Sequence, residues 1–392
     1  MKKLTYISLF SSAGVGCYGF KIENFNCVAT NELIAKRLEV QKCNNKCKYK
    51  SGYVLGDILL EETKQTILSQ IDLWKEKENI EELTVLIATP PCQGMSVANH
   101  KKGDESKRNS LVVASLELIK KIKPRFFVLE NVKAFLNTIC TDVDGKDKKI
   151  KIAIEENLSN LYNIEYQVLN FKNYGSNSSR TRTLVIGVRK DIKVSPKSLY
   201  PIYREEKTLR EIIGDLPSLT KMGEIFPTDI FHYFRSYSPE MRRWIELLKE
   251  GQGAFDNTDK SRLPHYYKNG EIVYTKNGNA DKYTRQCWDK VAPCVHTRND
   301  ILASQNTVHP VDDRVFSIRE IMRMMTIPES FRWTPHSLEE LNAMSLKDKK
   351  KYLSQNDINI RQSVGEAVPT EIFRQIAELI KQVETKWIYK NF

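Results

Sequence analysis

A cysteine behind paired prolines is the residue of this sequence most able to act as a nucleophile. The apolar run 83–89 is typical of a buried strand, and Pro-Pro-Cys-Gln at 90–93 ends that run. The prolines stop the strand, because they lack an N–H donor, and they stiffen its exit. In open α/β sheets, ligands lie at the carboxyl ends of strands. Cys92 is therefore either a nucleophile under the polar loop 94–108 or a packing thiol, the more common use of a free cysteine.

An acid and two arginines stand beside two other apolar runs. The run 125–129 ends at Glu130, and Arg180 and Arg182 come directly before the run 183–188. A carboxylate after a buried strand is either a helix cap or a site residue. In the same cleft as a nucleophile it could share a proton with a ring nitrogen. The arginines are either surface charges or ligands of a base or phosphate.

A third set of residues suits an adenosine moiety. The segment 8–16 is a strand followed by a turn of small residues, which lets a ligand approach the backbone. Glu32 follows the second apolar run, where an acid can bind ribose hydroxyls in dinucleotide folds. Asp57 follows the third run. Taken singly, each acid is read more simply as a solvated loop carboxylate.

The elements that must position these residues alternate between strand and helix in the first half of the chain. Strands alternating with helices indicate a doubly wound, mostly parallel α/β sheet. The predicted strands are 5–10, 25–30, 54–58, 83–89, 125–129, 162–170 and 183–188, and the predicted helices are 72–82 and 111–123.

The pattern changes after about residue 190, where turns and aromatic residues become frequent. Asn-Gly at 269–270 and again at 277–278 predicts a hairpin around the run 271–274, since Asn-Gly is the strongest short hairpin signal. Helices are predicted at 317–325, 337–353 and 370–384. We expect a catalytic domain of residues 1–192 plus 355–392, and a smaller domain of residues 193–354.

Composition limits the kinds of partner. The chain has 392 residues, a net charge of +12 and a pI near 9.1. A basic balance favours nucleic acid as a partner, and solubility alone is the alternative. No apolar run is long enough to span a membrane, and the N-terminus reads as a first strand rather than a signal peptide. We expect a cytoplasmic monomer.

Eight cysteines in a chain of this length do not make a disulfide framework, and a reducing compartment follows. Cys43 and Cys47 have a metal-like spacing, but no second Cys or His pair follows at zinc-site distance. No metal is therefore expected.

Taken in order, these motifs resemble those of the DNA cytosine-5 methyltransferase family, of the bacterial restriction–modification type, across almost the whole chain. Glu-Asn-Val at 130–132 matches a family motif letter for letter. The other matching segments are the cofactor loop at 8–16, the nucleophile motif at 90–96, the Arg-x-Arg motif at 178–182, an Arg-Glu-rich motif at 314–328 and Gly-Glu-Ala-Val-Pro at 365–369.

The resemblance implies a fold and a reaction. The fold is a doubly wound, Rossmann-like sheet that binds S-adenosylmethionine, with a smaller, turn-rich DNA-recognition domain. Cys92 would add to C6 of a flipped cytosine. Glu130 would hydrogen-bond N3 and the exocyclic amine, and Arg182, together with Arg180, would hold O2 and the catalytic loop.

The resemblance also implies which residues bind the cofactor and the DNA. Phe10 would lie against the adenine, Glu32 on the ribose, and Asp57 and Ile58 at the adenine edge. The remaining cofactor candidates are Ser12, Gly14, Pro91, Leu111, Glu366 and Ala367. Target recognition would lie between about residues 218 and 285, in a basic second domain. The DNA-binding candidates are Gln93, Ser96, Arg235, Lys268, Lys276 and Arg285.

Three positions depart from the family pattern, and other readings stay open. Ser8 stands where the family often has Asp, Ser178 replaces Gln, and Glu366 replaces Asn. The expected partners are double-stranded DNA and a functionally paired restriction endonuclease. An RNA cytosine methyltransferase and an inactive DNA-binding relative are the alternatives. The intact Cys92 and Glu130 speak against the inactive relative, and the thiol behind the prolines disfavours amino-group methyltransferases.

Overall fold

A computed structural model describes residues 3–91, 105–275 and 281–390, without the side chains of 105–110 and 386–390. The chain divides into two compact units. The first comprises residues 1–174, 181–203 and 370–392, and the second comprises residues 175–180 and 204–369.

These bounds differ from the predicted ones at three places. Residues 175–180, predicted within the catalytic domain, belong to the second unit. Residues 193–203 stay with the first unit, where the Tyr200 hydroxyl donates to the carbonyl oxygens of Glu165 (2.8 Å) and Leu184 (3.0 Å). Residues 355–366 stay with the second unit, because they continue a helix that begins at residue 346.

The elements follow in chain order. The strands are β1 Thr5–Leu9, β2 Asn26–Glu32, β3 Tyr53–Leu55, β4 Val85–Ala88, β5 Phe126–Val132, β6 Ile139–Thr141, β7 Asp147–Lys149, β8 Tyr162–Asn170, β9 Thr181–Arg189, β10 Ile225–Phe226, β11 Asp229–Tyr233, β12 His265–Lys268 and β13 Glu271–Tyr274. The helices are α1 Tyr18–Ile22, α2 Ala35–Cys43, α3 Glu61–Glu78, α4 Glu105–Ile122, α5 Ile150–Leu158, α6 Leu209–Ile213, α7 Pro239–Ile245, α8 Ile318–Met324, α9 Leu338–Ala343, α10 Leu346–Glu366 and α11 Thr370–Lys390.

The predicted doubly wound, mostly parallel sheet is confirmed. Among the described residues, seven strands form it in the order β3-β2-β1-β4-β5-β9-β8. The neighbours from β3 to β5 pair in parallel, and β9 runs antiparallel to both β5 and β8. Gly187 of β9 lies opposite Phe127 of β5, and any Cβ there would come within 1.9 Å of the phenyl ring. The sequence therefore needs glycine at this point of the sheet.

The core of the first unit explains the apolar runs. Ile7, Leu86 and Phe127, from three adjacent strands, are fully buried together with Trp74 of α3. Strands covered by helices on both faces are apolar along their whole length, which accounts for the continuous apolar runs of the sequence. Helix α11 returns to this unit against α1, where a Cβ on Gly19 would lie 2.4 Å from the Arg374 nitrogen.

The second unit is built from short pieces. Strands β10–β11 and β12–β13 form two-stranded ribbons. Along the chain, α6 precedes the first ribbon, α7 lies between the two ribbons, and α8 to α10 follow the second. Trp244, Ile245 and Tyr283 belong to an apolar cluster of this unit. No helix in the described ranges is long and apolar enough to cross a membrane.

Three local predictions were wrong in their bounds. Helix α3 covers 61–78 rather than 72–82, because Asn79 takes a left-handed conformation (φ 54°) that ends it. The predicted helix 337–353 is two helices, α9 and α10, with a break before Leu346. Helix α10 then continues through Gly365, which was expected to lie outside a helix.

The predicted hairpin at 269–270 is confirmed. Asn269 (φ 53°) and Gly270 (φ 81°) form the two-residue turn between β12 and β13. Positive φ at both central residues is what a type I′ turn requires.

Candidate active site

The candidate residues of the first unit gather where the central strands end. Because β2, β1, β4 and β5 are adjacent and parallel, their carboxyl ends share one edge of the sheet. Strand β9 runs the opposite way, so its first residues lie at that same edge, and Arg182 pairs with Val132 at the end of β5. The alternation of strand and helix thus brings Glu130 and Arg182 together, although they lie far apart in the sequence.

Glu130 and Arg182 form an ion pair at this edge. Arg182 Nε lies 3.3 Å from Glu130 Oε1, with the side chains 18% and 8% exposed respectively. The Arg182 guanidinium also donates to the Thr181 carbonyl oxygen at 2.8 Å, which fixes its direction. The Thr183 hydroxyl donates to the carbonyl oxygen of Val132 at 3.2 Å. The carboxylate is thus held beside a cation that keeps part of its surface open to solvent.

Asn131 links this pair to the exit of β4. Its buried amide nitrogen donates to the Pro90 carbonyl oxygen at 2.9 Å, and its oxygen accepts from the Val132 nitrogen at 2.8 Å. The segment that leads to Cys92 is therefore tied to the strand that carries Glu130. Sequence reasoning had Asn131 only as one letter of a motif and missed this bond. Cys92, Gln93 and Ser96 themselves lie outside the described residues.

The turn after β1 has the backbone of a ligand-binding loop. Phe10 (φ 55°), Ser12 (φ 46°) and Gly14 (φ 79°) all have positive φ. Glycine adopts this conformation freely, but at Phe10 and Ser12 it is strained, and such residues are kept where the surroundings fix them. Here the Ser12 nitrogen donates to Glu32 Oε2 at 2.6 Å, and the Gly14 nitrogen donates to the Ser11 carbonyl oxygen at 2.8 Å.

Glu32 lies at the end of β2 and binds three backbone nitrogens. Besides the Ser12 nitrogen, those of Leu33 (3.0 Å) and Ile34 (3.1 Å) donate to its Oε1. A carboxylate has about four acceptor positions. These three bonds leave room for one more donor, such as a hydroxyl of a ribose.

A buried glutamine supports the loop from below. Gln41 of α2 donates to Ser11 Oγ at 2.8 Å and to the Ser12 carbonyl oxygen at 2.6 Å. Its oxygen accepts from the buried Lys46 ammonium at 2.9 Å. A Cβ at Gly14 would lie 3.0 Å from Gln41 Cγ, so the loop rests directly on this side chain. Gln41 carries no motif, and the sequence offered no way to find it.

The other predicted cofactor residues of the first unit differ in how much surface they present. Phe10 and Leu111 are half-buried and pack against the core, and Pro91 is exposed. Asp57 is half-buried, and its Oδ1 accepts from the Leu59 nitrogen at 3.0 Å. Ile58 is 2% exposed and packs in the core, so its side chain offers almost no surface to an adenine. A contact through the Ile58 backbone stays a prediction.

Arg180 belongs to the second unit and supports the end of α10. Its buried guanidinium donates to the carbonyl oxygens of Val295 (3.4 Å), Gly365 (3.1 Å) and Glu366 (3.4 Å). The Glu366 side chain is exposed, whereas Ala367 is buried. Arg180 and Arg182 thus belong to different units. Through its bonds to the Gly365 and Glu366 carbonyl oxygens, Arg180 stabilises the segment that carries Glu366.

The prediction that Arg285 binds DNA is wrong. Its side chain is buried and donates to the carbonyl oxygens of Ile245 (2.9 Å), His309 (3.0 Å) and Val311 (2.8 Å), and to Asp313 Oδ1 (2.6 Å). A guanidinium with this many internal acceptors ties the unit together and offers no surface to a phosphate or base.

The remaining DNA-binding candidates of the second unit differ in whether they have internal partners. Arg235 donates to the Asp300 carbonyl oxygen at 2.9 Å and lies 3.4 Å from Asp357 Oδ2, so two carboxylates offset its charge. Lys268 is exposed on β12, and Lys276 lies outside the described residues.

The expectation of a basic second domain is also wrong. Acidic and basic residues nearly balance in the second unit, so most of the net charge of +12 belongs to the first. Within the described residues, no cluster of three or more His, Cys, Asp or Glu side chains could hold a metal ion.

The sequence profile of the C-5 cytosine-specific DNA methylases matches residues 4–382. The chain belongs to this family. It is 31% identical to the Type II methyltransferase M1.HgaI of Avibacterium volantium, over 97% of this chain and 98% of that protein. It is 26% identical to the Type II methyltransferase M1.HphI of Haemophilus parahaemolyticus, over 97% and 88% of the two chains.

Solved structures of methylases share the fold. The S. pombe Dnmt2 methyltransferase superposes with a TM-score of 0.59 at 13% identity, covering 98% of this chain and 100% of that one. A candidate DNA modification methyltransferase from an E. coli prophage gives a TM-score of 0.65 at 18% identity, covering 98% and 100%. Membership of the methylase family agrees with the acid, the arginine and the loop found at one edge of the sheet.

Proposed function

We propose that this methylase transfers a methyl group from S-adenosylmethionine to C5 of cytosine in a specific double-stranded DNA sequence. The observation that carries the proposal is the Glu130–Arg182 pair, 3.3 Å apart, beside a β4 exit that Asn131 holds in place. The proposed nucleophile Cys92 follows that exit by two residues.

The reaction needs a nucleophile that activates an aromatic ring. C5 of cytosine is a poor nucleophile until a thiolate adds to C6 and makes C5 enamine-like. In the proposal, the Cys92 thiolate forms the C6–S bond while Glu130 hydrogen-bonds N3 and the exocyclic amine, where charge develops. Arg182 orients Glu130 and binds O2. Once C5 carries the transferred methyl group, loss of the C5 proton breaks the C6–S bond, which expels the Cys92 thiolate and restores the aromatic ring.

The residues around the loop fit S-adenosylmethionine, which when bound supplies an electrophilic methyl group. Glu32 has one acceptor position left for a ribose hydroxyl, and Phe10 and Leu111 present half-buried apolar surface. Asp57 adds a second carboxylate at the neighbouring strand. Gln41 keeps the loop in its strained conformation, so the loop is organised before the cofactor binds.

The target base must leave the duplex to reach these groups. Flipping costs a few kcal/mol of stacking and pairing, and contacts with the flipped base have to offset that cost. We place Gln93 and Ser96, which follow Cys92 directly in the chain, in the vacated stack.

The biological role we propose is modification of DNA against a cognate restriction endonuclease. The relatives M1.HgaI and M1.HphI are named Type II methyltransferases, and this chain matches nearly the full length of M1.HgaI. That similarity supports the same role here.

The test is bisulfite sequencing of DNA from cells that express the wild type, Cys92→Ser or Cys43→Ser. The wild type and Cys43→Ser, a matched control at a half-buried cysteine, should both leave 5-methylcytosine at one recurrent sequence. Cys92→Ser should leave none, while purified protein still binds S-adenosylmethionine. Methylation by Cys92→Ser would refute the nucleophile, and a wild type without any 5-methylcytosine would refute the proposed function.

A further inference from the structure

The hairpin β12–β13 exposes an unusual amount of apolar surface. Tyr266, Tyr267, Ile272 and Tyr274 are each 44% to 60% exposed, within eight strand residues. Apolar patches of this kind on a folded protein mark interaction sites. Exposed apolar side chains do not make a protein more soluble, so these residues of the hairpin need another explanation.

The exposed residues lie on both faces of the ribbon. Directly opposite residues of an antiparallel pair share a face, and successive residues alternate. Tyr267 lies opposite Ile272 on one face, and Tyr266 lies opposite Val273 on the other. A flat partner would cover only one of these faces.

The base of the hairpin is fixed, so its free end keeps a defined direction. The His265 ring nitrogen Nε2 lies 2.8 Å from Glu240 Oε1, and the ring packs 5.5 Å from Trp244 of α7. The type I′ turn at 269–270 sets the register at the other end. A two-stranded ribbon alone is marginally stable in water, and here His265 and the Tyr267 hydroxyl, 3.4 Å from Glu240 Oε1, attach the ribbon to α7.

Charge does not explain the surface. Lys268 at the tip faces Glu271 across the turn, so the two charges offset each other. The second unit as a whole is nearly neutral, and Arg285 is committed to internal acceptors. A surface that attracts phosphates would be basic. A surface that reads base edges needs hydrogen-bonding and apolar groups instead.

We propose that hairpin β12–β13 enters the major groove of the substrate duplex and reads its sequence through Tyr266, Tyr267 and Ile272. The major groove is about 12 Å wide and admits a two-stranded ribbon, whose two faces it encloses. The Tyr266 hydroxyl can donate to a base acceptor. The Tyr267 hydroxyl already donates to Glu240 Oε1 at 3.4 Å, so Tyr267 and Ile272 would offer mainly apolar surface, which suits the thymine methyl group. The inference rests on the proposed function, because it takes duplex DNA as the substrate.

The test compares methylation kinetics on duplexes. The wild-type target is first read by bisulfite sequencing, and kcat/KM is then measured on that target and on duplexes with one base pair changed. In the double variant Tyr266→Ser, Tyr267→Ser, we expect kcat/KM on the target to fall roughly 10- to 100-fold, the usual cost of one or two lost base contacts. We also expect the preference for the target over at least one changed duplex to fall about tenfold.

The control is Tyr203→Ser, at an exposed tyrosine of the first unit, which should leave both quantities unchanged. Unchanged target choice and rate in the double variant would overturn the inference. If the double variant melts earlier than the wild type, Tyr266→Phe with Tyr267→Phe keeps the rings and removes the hydroxyls. Unchanged target choice in that variant would likewise overturn it.

Two further outcomes separate competing accounts. If the wild type is a dimer by sedimentation and the serine variant is a monomer, the hairpin is a surface for a second copy of this chain, and the inference fails. If the wild type itself makes no 5-methylcytosine, the proposed function has failed, whatever the hairpin variants do.

Discussion

Two arginine–carboxylate pairs, one in each unit, differ in how far they are open to solvent. In the first unit, Arg182 Nε lies 3.3 Å from Glu130 Oε1, and 18% of the Arg182 side chain is exposed. In the second, Arg314 is 1% exposed and binds both oxygens of Glu320, at 2.7 and 2.8 Å. An open pair can exchange part of its bonding for a substrate. A closed pair such as Arg314–Glu320, with both side chains buried, stabilises the fold instead.

The difference follows from where each pair lies. Glu130 and Arg182 lie at the edge of a sheet, where β5 ends and β9 begins. Glu320 lies in the first turn of α8, where it also caps the helix by accepting from the Ser317 nitrogen at 2.6 Å. Removing a charge should therefore cost activity at the Glu130–Arg182 pair and stability at the Arg314–Glu320 pair.

Glu130→Gln should have the largest effect. Glutamine keeps the shape but cannot take up charge or exchange a proton with N3, so kcat should fall about 10²- to 10⁴-fold, the usual range for a lost acid–base group. The melting temperature should stay within a few degrees. Steady-state methylation of the target duplex measures kcat, with Glu165→Gln on β8 as the control. A Glu130→Gln enzyme with wild-type kcat would remove Glu130 from the mechanism.

Arg314→Met should mainly destabilise the protein. It leaves Glu320 and Asp312 buried without their cation, and breaking a buried pair in this way costs about 3–5 kcal/mol. Denaturant unfolding measures the change. The matched control is Arg323→Met, whose partner Asp215 is exposed, and it should cost under about 1 kcal/mol. Equal losses in the two variants would contradict the distinction between open and closed pairs.

Asn131→Ala should give a smaller loss that is still seen in activity. It removes the bond to the Pro90 carbonyl oxygen and so loosens the segment before Cys92. A misplacement of about 1 Å at a reacting group can cost about 10²-fold, and we expect 10- to 100-fold in kcat. Cofactor affinity, measured by calorimetry, should stay the same. A fall in cofactor affinity with unchanged kcat would assign Asn131 to the cofactor loop instead.

The closed pair should also make stability depend on pH. Burial lowers the pKa of His309 to about 4, with Arg314 and Arg285 acting in the same direction against Glu320 and Asp312. The unfolded chain binds this proton near pH 6.5. Between pH 6.5 and about 4 the unfolded state therefore holds more protons, and stability falls as the pH falls.

We expect His309 to account for a loss on the order of 1 kcal/mol between pH 7 and 5. Unfolding by denaturant at the two pH values, for wild type and His309→Gln, isolates this contribution. The variant should show a flatter dependence. An identical pH dependence in both proteins would mean that His309 does not set it.

The first unit was largely predictable because local pattern and chemistry agree there. Buried parallel strands leave continuous apolar runs, and functional residues follow directly where those runs end, as Glu130 does after 125–129. The supporting residues were not predictable. Gln41 and the amide of Asn131 act through bonds that cross between elements, and no spacing along the sequence indicates such bonds.

The second unit was less predictable for the same physical reason. An arginine that binds phosphate and one that binds buried carbonyl oxygens look alike in sequence, and so Arg285 was misassigned. The hairpin β12–β13 was predictable, because a type I′ turn requires Asn-Gly or a close equivalent at fixed positions. Its exposed tyrosines became informative only once their burial was known.

Covalent trapping on DNA tests most directly the claim that the first unit carries cytosine chemistry. A target duplex with 5-fluorocytosine at the methylated position blocks the final step, because fluorine cannot leave C5 as a proton. With S-adenosylmethionine present, the wild type should form a complex with this duplex that survives denaturing electrophoresis, and Cys92→Ser should not. A wild type that methylates the ordinary target but gives no trapped complex would contradict the account.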